Sequence, residues 1–130
     1  MLKTKSVYSP IKKEDGLRIL ATRIRGRGLK KNRYHVWMAN LGPSEKLLKY
    51  RLDQPVDKIW NEFKKKYKEE ILNSPSIDRN NKNILNHGQK FTLRLIKELS
   101  GKQNVTLLCH CDDDQEYCHR HILKELIERV

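Results

Sequence analysis

The chain has 130 residues, 37% hydrophobic and 34% charged, with 28 Lys and Arg against 16 Asp and Glu for a formal net charge of +12. That length suits one compact domain spanning residues 1–130, and six Gly with four Pro exclude a collagen-like or low-complexity chain. No apolar run approaches the roughly 20 residues of a spanning helix, and the polar start Met1-Leu2-Lys3-Thr4-Lys5 lacks the core of an export signal, so a cytoplasmic protein without a membrane partner is expected.

Thr4 to Tyr8 alternates weakly and predicts a first strand that stops at Ser9-Pro10, followed by a surface turn over Ile11 to Gly16. Leu17 to Ile24, rich in branched apolar residues, predicts a second strand. It runs into Arg25-Gly26-Arg27-Gly28, where two glycines free the backbone to turn. Pro43-Ser44-Glu45 predicts a helix start with Ser44 as cap and Leu47 and Leu48 as first buried positions. A second start follows at Asp53-Gln54-Pro55. In that helix Ile59, Trp60, Phe63, Tyr67 and Ile71 form an apolar stripe, with Lys58, Lys64, Lys65 and Lys68 off it on a solvated face.

Asn73-Ser74-Pro75-Ser76 breaks the pattern, and a polar run over residues 78–83 follows. Ile84, Leu85, Phe91, Leu95, Ile96 and Leu99 then recur at helical spacing, interrupted by Gly88, with Gly101 placed to end the helix. Asn104 to Cys109 reads as a short, fully buried strand, and Ile122, Leu123, Leu126 and Ile127 mark a final helix. The order strand, strand, helices, strand, helix predicts an α/β fold: a small three-layer domain with a short, largely parallel β-sheet covered by helices.

The charge is unevenly placed. Residues 1–68 hold 19 of the Lys and Arg but only 6 of the acids, so the whole positive excess lies there. Basic surfaces attract polyanions. One reading is therefore a non-catalytic nucleic-acid binder using Lys12, Lys13, Arg25, Arg27, Lys30, Lys31 and Arg33, with Tyr34 and Trp37 the only nearby aromatics for stacking. The other is a surface that serves solubility.

The chemistry is concentrated elsewhere, in Cys109-His110-Cys111-Asp112-Asp113-Asp114-Gln115-Glu116-Tyr117-Cys118-His119-Arg120, at the carboxyl end of the last predicted strand. Ligand sites of open α/β sheets form at such junctions. An odd number of cysteines argues against a secreted disulfide scaffold, and four readings compete. Cys118, at the start of the last helix, can be a reactive thiolate stabilised by Arg120, with His119 as acid or base. Zinc or another divalent ion can be held by the three cysteines and a histidine, or by Cys111, Cys118 and His119 if Cys109 points into the core. Cys111 and Cys118 can form a disulfide, or the stretch can be a structural turn. Asp112, Asp113 and Asp114 also allow a hard cation such as magnesium, although consecutive acids seldom converge on one centre.

Several landmarks run in order along nearly the whole chain: Val7-Tyr8, Asp15-Gly16 with Arg18-Ile19-Leu20, Arg23 with Arg27-Gly28-Leu29, Trp37, Leu41-Gly42-Pro43-Ser44 with Leu47, the helix pattern Trp60, Phe63, Tyr67, Glu70, then Val105-Thr106-Leu107-Leu108-Cys109 and Cys118-His119-Arg120. In this order they resemble the domain-of-unknown-function-488 (YeaO-like) family, small α/β proteins without an established activity. The sequence departs from that family at Arg25-Gly26, where similar proteins usually carry Trp-Pro, and at His110-Cys111 with three aspartates, where many carry one acid. The resemblance implies that Arg23 and Arg27 lie near the Cys109–Arg120 junction, with Tyr67 approaching the same cleft. In that grouping Arg23, Arg27 and Arg120 hold a phosphate or carboxylate while Cys118 or His119 carries chemistry. The expected protein is an enzyme acting on an anionic small molecule or a nucleic-acid end, with the nucleic-acid binder as alternative.

Overall fold

The computed structural model describes residues 1–73 and 89–130. Four strands, β1 (Leu2–Ser6), β2 (Leu17–Leu20), β3 (Val36–Trp37) and β4 (Val105–Cys109), form one sheet in the spatial order β1-β4-β2-β3. Every neighbouring pair is parallel, with Ser6 opposite Cys109 and Leu20 opposite both Leu108 and Trp37. Parallel strands bring their carboxyl ends to one edge. Ser6, Leu20, Trp37 and Cys109 therefore share the edge where α/β folds place ligands.

β4 is buried at all five positions, as its unbroken apolar run predicts for a strand covered on both faces. Alternation then sorts its side chains. Val105 and Leu107 enter a large core with Ile19, Phe63, Tyr67, Leu93, Ile96 and Leu123, to which every helix contributes: α1 (Glu45–Asp53), α2 (Val56–Asn73), α3 (Lys90–Lys102) and α4 (His119–Arg129). Leu108 lies in a second, smaller cluster with Val7, Leu20, Leu29 and half-buried Tyr34. Short 3-10 turns over Lys13–Asp15 and Lys31–Arg33 stand on that side in place of full helices, the first held by the Thr106 hydroxyl donating to Asp15 O at 2.6 Å.

The first strand lies two residues earlier than its alternation predicts, because pairing with β4 starts at Val105 N–H donating to Met1 O. The second strand stops at Leu20 instead of Ile24. Its partner β4 ends at Cys109, and beyond Ala21 the chain turns away, helped at Gly26 and Gly28 by φ of 96° and 76°. The two-residue strand β3 carries no sequence signal.

Ser44 caps α1 as expected, its hydroxyl accepting from Leu47 N at 3.2 Å. The Glu70 carboxylate takes Ser44 N–H at 2.9 Å and the Ser44 hydroxyl, tying α1 to α2. On α2, Phe63, Tyr67 and Ile71 are buried and Ile59 and Trp60 are half-buried. The α3 stripe is turned: Leu93 and Ile96 face the core, while Phe91 and Leu95 are 71% and 56% exposed. The helix runs through Gly101 to Lys102, since a glycine in an exposed last turn costs only about 1 kcal/mol. Ser74-Pro75-Ser76, the run 78–83, Ile84, Leu85 and Gly88 lie outside the described residues. On α4 the four predicted positions are buried, together with His119 and Arg120. Among the described residues no helix is long and apolar enough to cross a membrane.

Candidate functional site at a cluster of three thiols

Cys109 ends β4, Cys118 caps the amino terminus of α4, and Cys111 lies in the bend between them. Their sulfurs all lie within 4.8 Å of one another, the only such group of metal-type ligands among the described residues. All three are free thiols; Cys109 and Cys118 are each 1% exposed, whereas Cys111 is half-buried. Cys109 Sγ and Cys118 Sγ are 3.1 Å apart. The inward turn of Cys109, which from sequence would remove it from any site, instead delivers its sulfur to the cluster, because the strand ends there.

Arg120 organises the loop. It is 1% exposed, and its Nη1 donates to Cys109 Sγ at 2.8 Å and to Cys111 O at 3.1 Å. Nη2 donates to Asp112 O at 2.7 Å and Asp113 O at 3.2 Å, and Nε has no partner. Among the described residues no carboxylate pairs with this guanidinium. Asp113 feels the Arg120 charge but is held by Ser6 N–H and the Ser9 hydroxyl; a buried cation without an ion-paired carboxylate is costly, so the fold favours an anion in the thiol cluster. Hydrogen bonds from the Cys109 and Cys118 thiols, helped by the nearby Arg51, hold the Cys111 pKa well below the usual thiol value. Cys118 is pushed up by its hydrogen bonds to the other two sulfurs and by burial. Cys109 is raised by its bond to Cys111, with Arg120 acting the other way. The three therefore titrate as a coupled unit with one readily ionised site.

His119 sits beneath the cluster. Its Nε2 donates to Ala21 O at 2.5 Å, which leaves Nδ1 as the acceptor, 3.9 Å from Cys118 Sγ. Burial lowers its pKa to about 4, so the ring is neutral near pH 7. Tyr67 packs edge-on against it and donates its hydroxyl to Leu41 O. Tyr67 is thus a core residue that braces the site from behind.

The cluster opens into a cavity of about 100 Å³ whose walls include Thr22, Arg23, Pro43, Arg51, His110 and the three cysteines. An outer hollow of about 420 Å³ adjoins it, sharing Arg51, His110 and Cys111 and adding Asp112, Asp114 and Gln115. Cys111 and Arg51 therefore face both spaces. Arg51 was invisible to sequence reasoning: it lies in the last turn of α1, and its Nη2 reaches Tyr117 O at 2.6 Å. His110 forms a fixed wall, Nδ1 at 3.1 Å from the Tyr8 hydroxyl and Nε2 at 3.1 Å from Ile24 O. Gly26 lies so close that a Cβ there would come within 2.7 Å of that ring. A Cβ on Gly42 would meet Arg23 N at 2.2 Å, so glycine lets the Leu41–Ser44 turn close the cavity over the end of β2.

The other expected site residues are scattered. Arg23 reaches the cavity while donating to Gly42 O at 3.2 Å and Pro43 O at 3.4 Å. Arg27 is exposed and outside the cavity walls, and Arg120 is turned inward to carbonyls. Arg25 stacks on Tyr34 and donates to Leu29 O, and Arg33 donates to Val7 O and Ser9 O, whereas Lys12, Lys13, Lys30 and Lys31 are exposed. Of the three aspartates, Asp113 is held by Ser6 N and the Ser9 hydroxyl, and Asp112 and Asp114 face the outer hollow. A family model described as an active DUF488-N3 subclade matches residues 2–130. No curated protein and no solved structure matches the chain.

Proposed function

The chain belongs to the DUF488-N3a family, and from that premise we propose that it is an enzyme in which Cys111 attacks a small substrate carrying a phosphate or carboxylate. One observation supports this above the rest. Cys111 is the single solvent-facing sulfur of a three-thiol cluster, with Arg51 lining the same two hollows. A thiolate is the nucleophilic form of cysteine, and the thiols of Cys109 and Cys118, with Arg51 nearby, favour it at Cys111. Arg51, with Arg23 deeper in the cavity, offers planar paired donors suited to an oxyanion. The nucleophile is thus Cys111, and Cys118 and His119 support it: Cys118 donates within the cluster, and neutral His119 stands behind it as a second acceptor for that proton.

The test compares iodoacetate with neutral iodoacetamide on the folded protein, with peptide mapping. Labelling should fall on Cys111, and Arg51→Gln should slow iodoacetate by about tenfold, the equivalent of one charge-assisted hydrogen bond, while sparing iodoacetamide. Equal slowing of both reagents, or labelling of Cys118 first, rejects the proposal.

A second reading rests on the same sulfurs. Their mutual spacing within 4.8 Å suits zinc or another soft divalent ion, with the fourth position open to the cavity as in catalytic zinc sites. Elemental analysis decides. Stoichiometric metal that protects Cys111 until a chelator removes it supports this reading, and metal-free protein with rapid Cys111 labelling rejects it.

A further inference from the structure

We propose that the three thiols also form an oxidation relay, in which a hydroperoxide oxidises Cys111, Cys118 resolves the product, and the disulfide passes inward to Cys109–Cys118. The inference rests on Cys111 being the reactive sulfur, and it adds a reaction that the anion-binding arginines do not need. Three observations carry it. Only Cys111 is accessible to a reagent, while Cys109 and Cys118 are buried. The two buried sulfurs already touch, at 3.1 Å. The buried cation of Arg120 stands 2.8 Å from Cys109, not beside the solvent-facing sulfur.

The steps balance. The Cys111 thiolate attacks the distal oxygen of the hydroperoxide; the O–O bond breaks, the alkoxide leaves and takes a proton, and Cys111 holds a sulfenic acid. The Cys118 thiol then attacks Cys111 Sγ. An S–S bond forms, the S–O bond breaks, and the Cys118 proton leaves with the hydroxyl as water. His119 Nδ1, 3.9 Å from Cys118 Sγ, is the acceptor to which that thiol turns once Cys111 is no longer a thiolate. Cys109 is the poorer resolver, because a bond between residues separated by one position closes a small, strained ring.

With Cys111 held in the disulfide, Cys109 Sγ keeps Arg120 Nη1 at 2.8 Å and stands 3.1 Å from Cys118 Sγ. Cys109 loses its proton to solvent and attacks Cys118 Sγ. The Cys111–Cys118 bond breaks, the Cys109–Cys118 bond forms, and Cys111 departs as a thiolate. Arg120 thus favours the transfer inward, and the accessible sulfur is regenerated. Reverse exchange returns the disulfide to Cys111, where an external dithiol reduces it and is itself oxidised to a disulfide.

The experiment treats the reduced full chain with one equivalent of hydrogen peroxide, then caps free thiols and maps peptides. The relay predicts loss of two hydrogens, a Cys109–Cys118 bond and a free, alkylated Cys111. Cys118→Ser should stop at a Cys111 sulfenic acid that dimedone traps, and Cys109→Ser at a Cys111–Cys118 bond. Cys111→Ser should slow disulfide formation by tenfold or more, on the order of the gain from thiolate to thiol reactivity. A Cys109–Cys118 bond formed at an undiminished rate in Cys111→Ser overturns the relay, as does wild-type protein that gains oxygen on Cys111 without any disulfide. Mapping the wild type needs no variant to fold. It also separates the two proposals: rapid Cys111 labelling without a disulfide defeats the relay alone, and slow labelling of Cys111 defeats both.

Discussion

Two segments leave the carboxyl edge of the sheet, the one after β2 (Arg23 to Arg33) and the one after β4 (Cys109 to Arg120), and both use arginine in opposite ways. After β2, the arginines act as staples. Arg23 holds Gly42 O and Pro43 O, Arg25 holds Leu29 O, and Arg33 holds Val7 O and Ser9 O. Arg25 and Arg33 close the side of the sheet that lacks helices, Arg23 ties the strand end to the turn before α1, and all three side chains stay part-exposed. After β4, Arg120 also holds three carbonyls, yet it is wholly buried and its remaining partner is a cysteine sulfur. A partly solvated cation can be neutralised by water and salt. A buried one needs an anion from the protein or its ligand. The excess of +12 therefore describes a surface and its fastenings, and a single buried charge points to the chemistry.

Removing Arg120 tests that contrast hardest. Arg120→Met leaves the carbonyls of Cys111 and Asp113 without donors and that of Asp112 with Gln115 N–H alone, and should cost on the order of 3 kcal/mol in urea unfolding. Arg33→Met strips donors from the carbonyls of Val7 and half-buried Ser9, beside an arginine that is itself half-buried, and should cost about 1 kcal/mol. Similar losses in the two variants would erase the distinction.

Between pH 6.5 and 4 acid should act first on the buried side. His119 has its folded pKa depressed to about 4 from 6.5, so the unfolded chain takes up a proton before the native one does. Its contribution is complete above pH 6.5 and is lost as pH falls toward 4, by up to about 3 kcal/mol. His119→Asn should flatten that part of the stability curve, and an unchanged slope would place the acid sensitivity elsewhere.

The basic segment should show the smallest effect. With Arg25 and Arg33 committed to carbonyls, duplex DNA meets mainly Lys12, Lys13, Arg27, Lys30 and Lys31. Affinity should fall with salt with a log–log slope no steeper than roughly −5. A steeper dependence abolished by Arg33→Met would mean that the staples also bind phosphate.

Features set by neighbours in sequence were legible. Ser44 caps α1 through its own hydroxyl, β4 is an apolar run, and α4 repeats its apolar positions. Family membership and the parallel α/β sheet were legible for the same reason, as an ordered set of local landmarks. Where tertiary placement decides, the reading stopped. Phe91 and Leu95 share the α3 period with Leu93 and Ile96 yet face outward. Arg120 looks like a solvent-facing anion binder until the loop folds back over it. Arg51 reaches the cavity only because α1 packs beside the Cys111 bend, and nothing in its own segment signals that. The cysteine cluster was legible as a stretch; its accessible member was not, because exposure depends on which sulfur the helix and strand ends cover.

Site-resolved alkylation by neutral iodoacetamide across pH tests the central claim most directly. With Cys111 as the accessible thiolate, one adduct forms on the folded protein, at Cys111, and its rate stays level from neutral pH well into the acid range. A rate that climbs toward pH 8.5 as for an ordinary thiol, or adducts that form on all three cysteines together only as the protein unfolds, would contradict it.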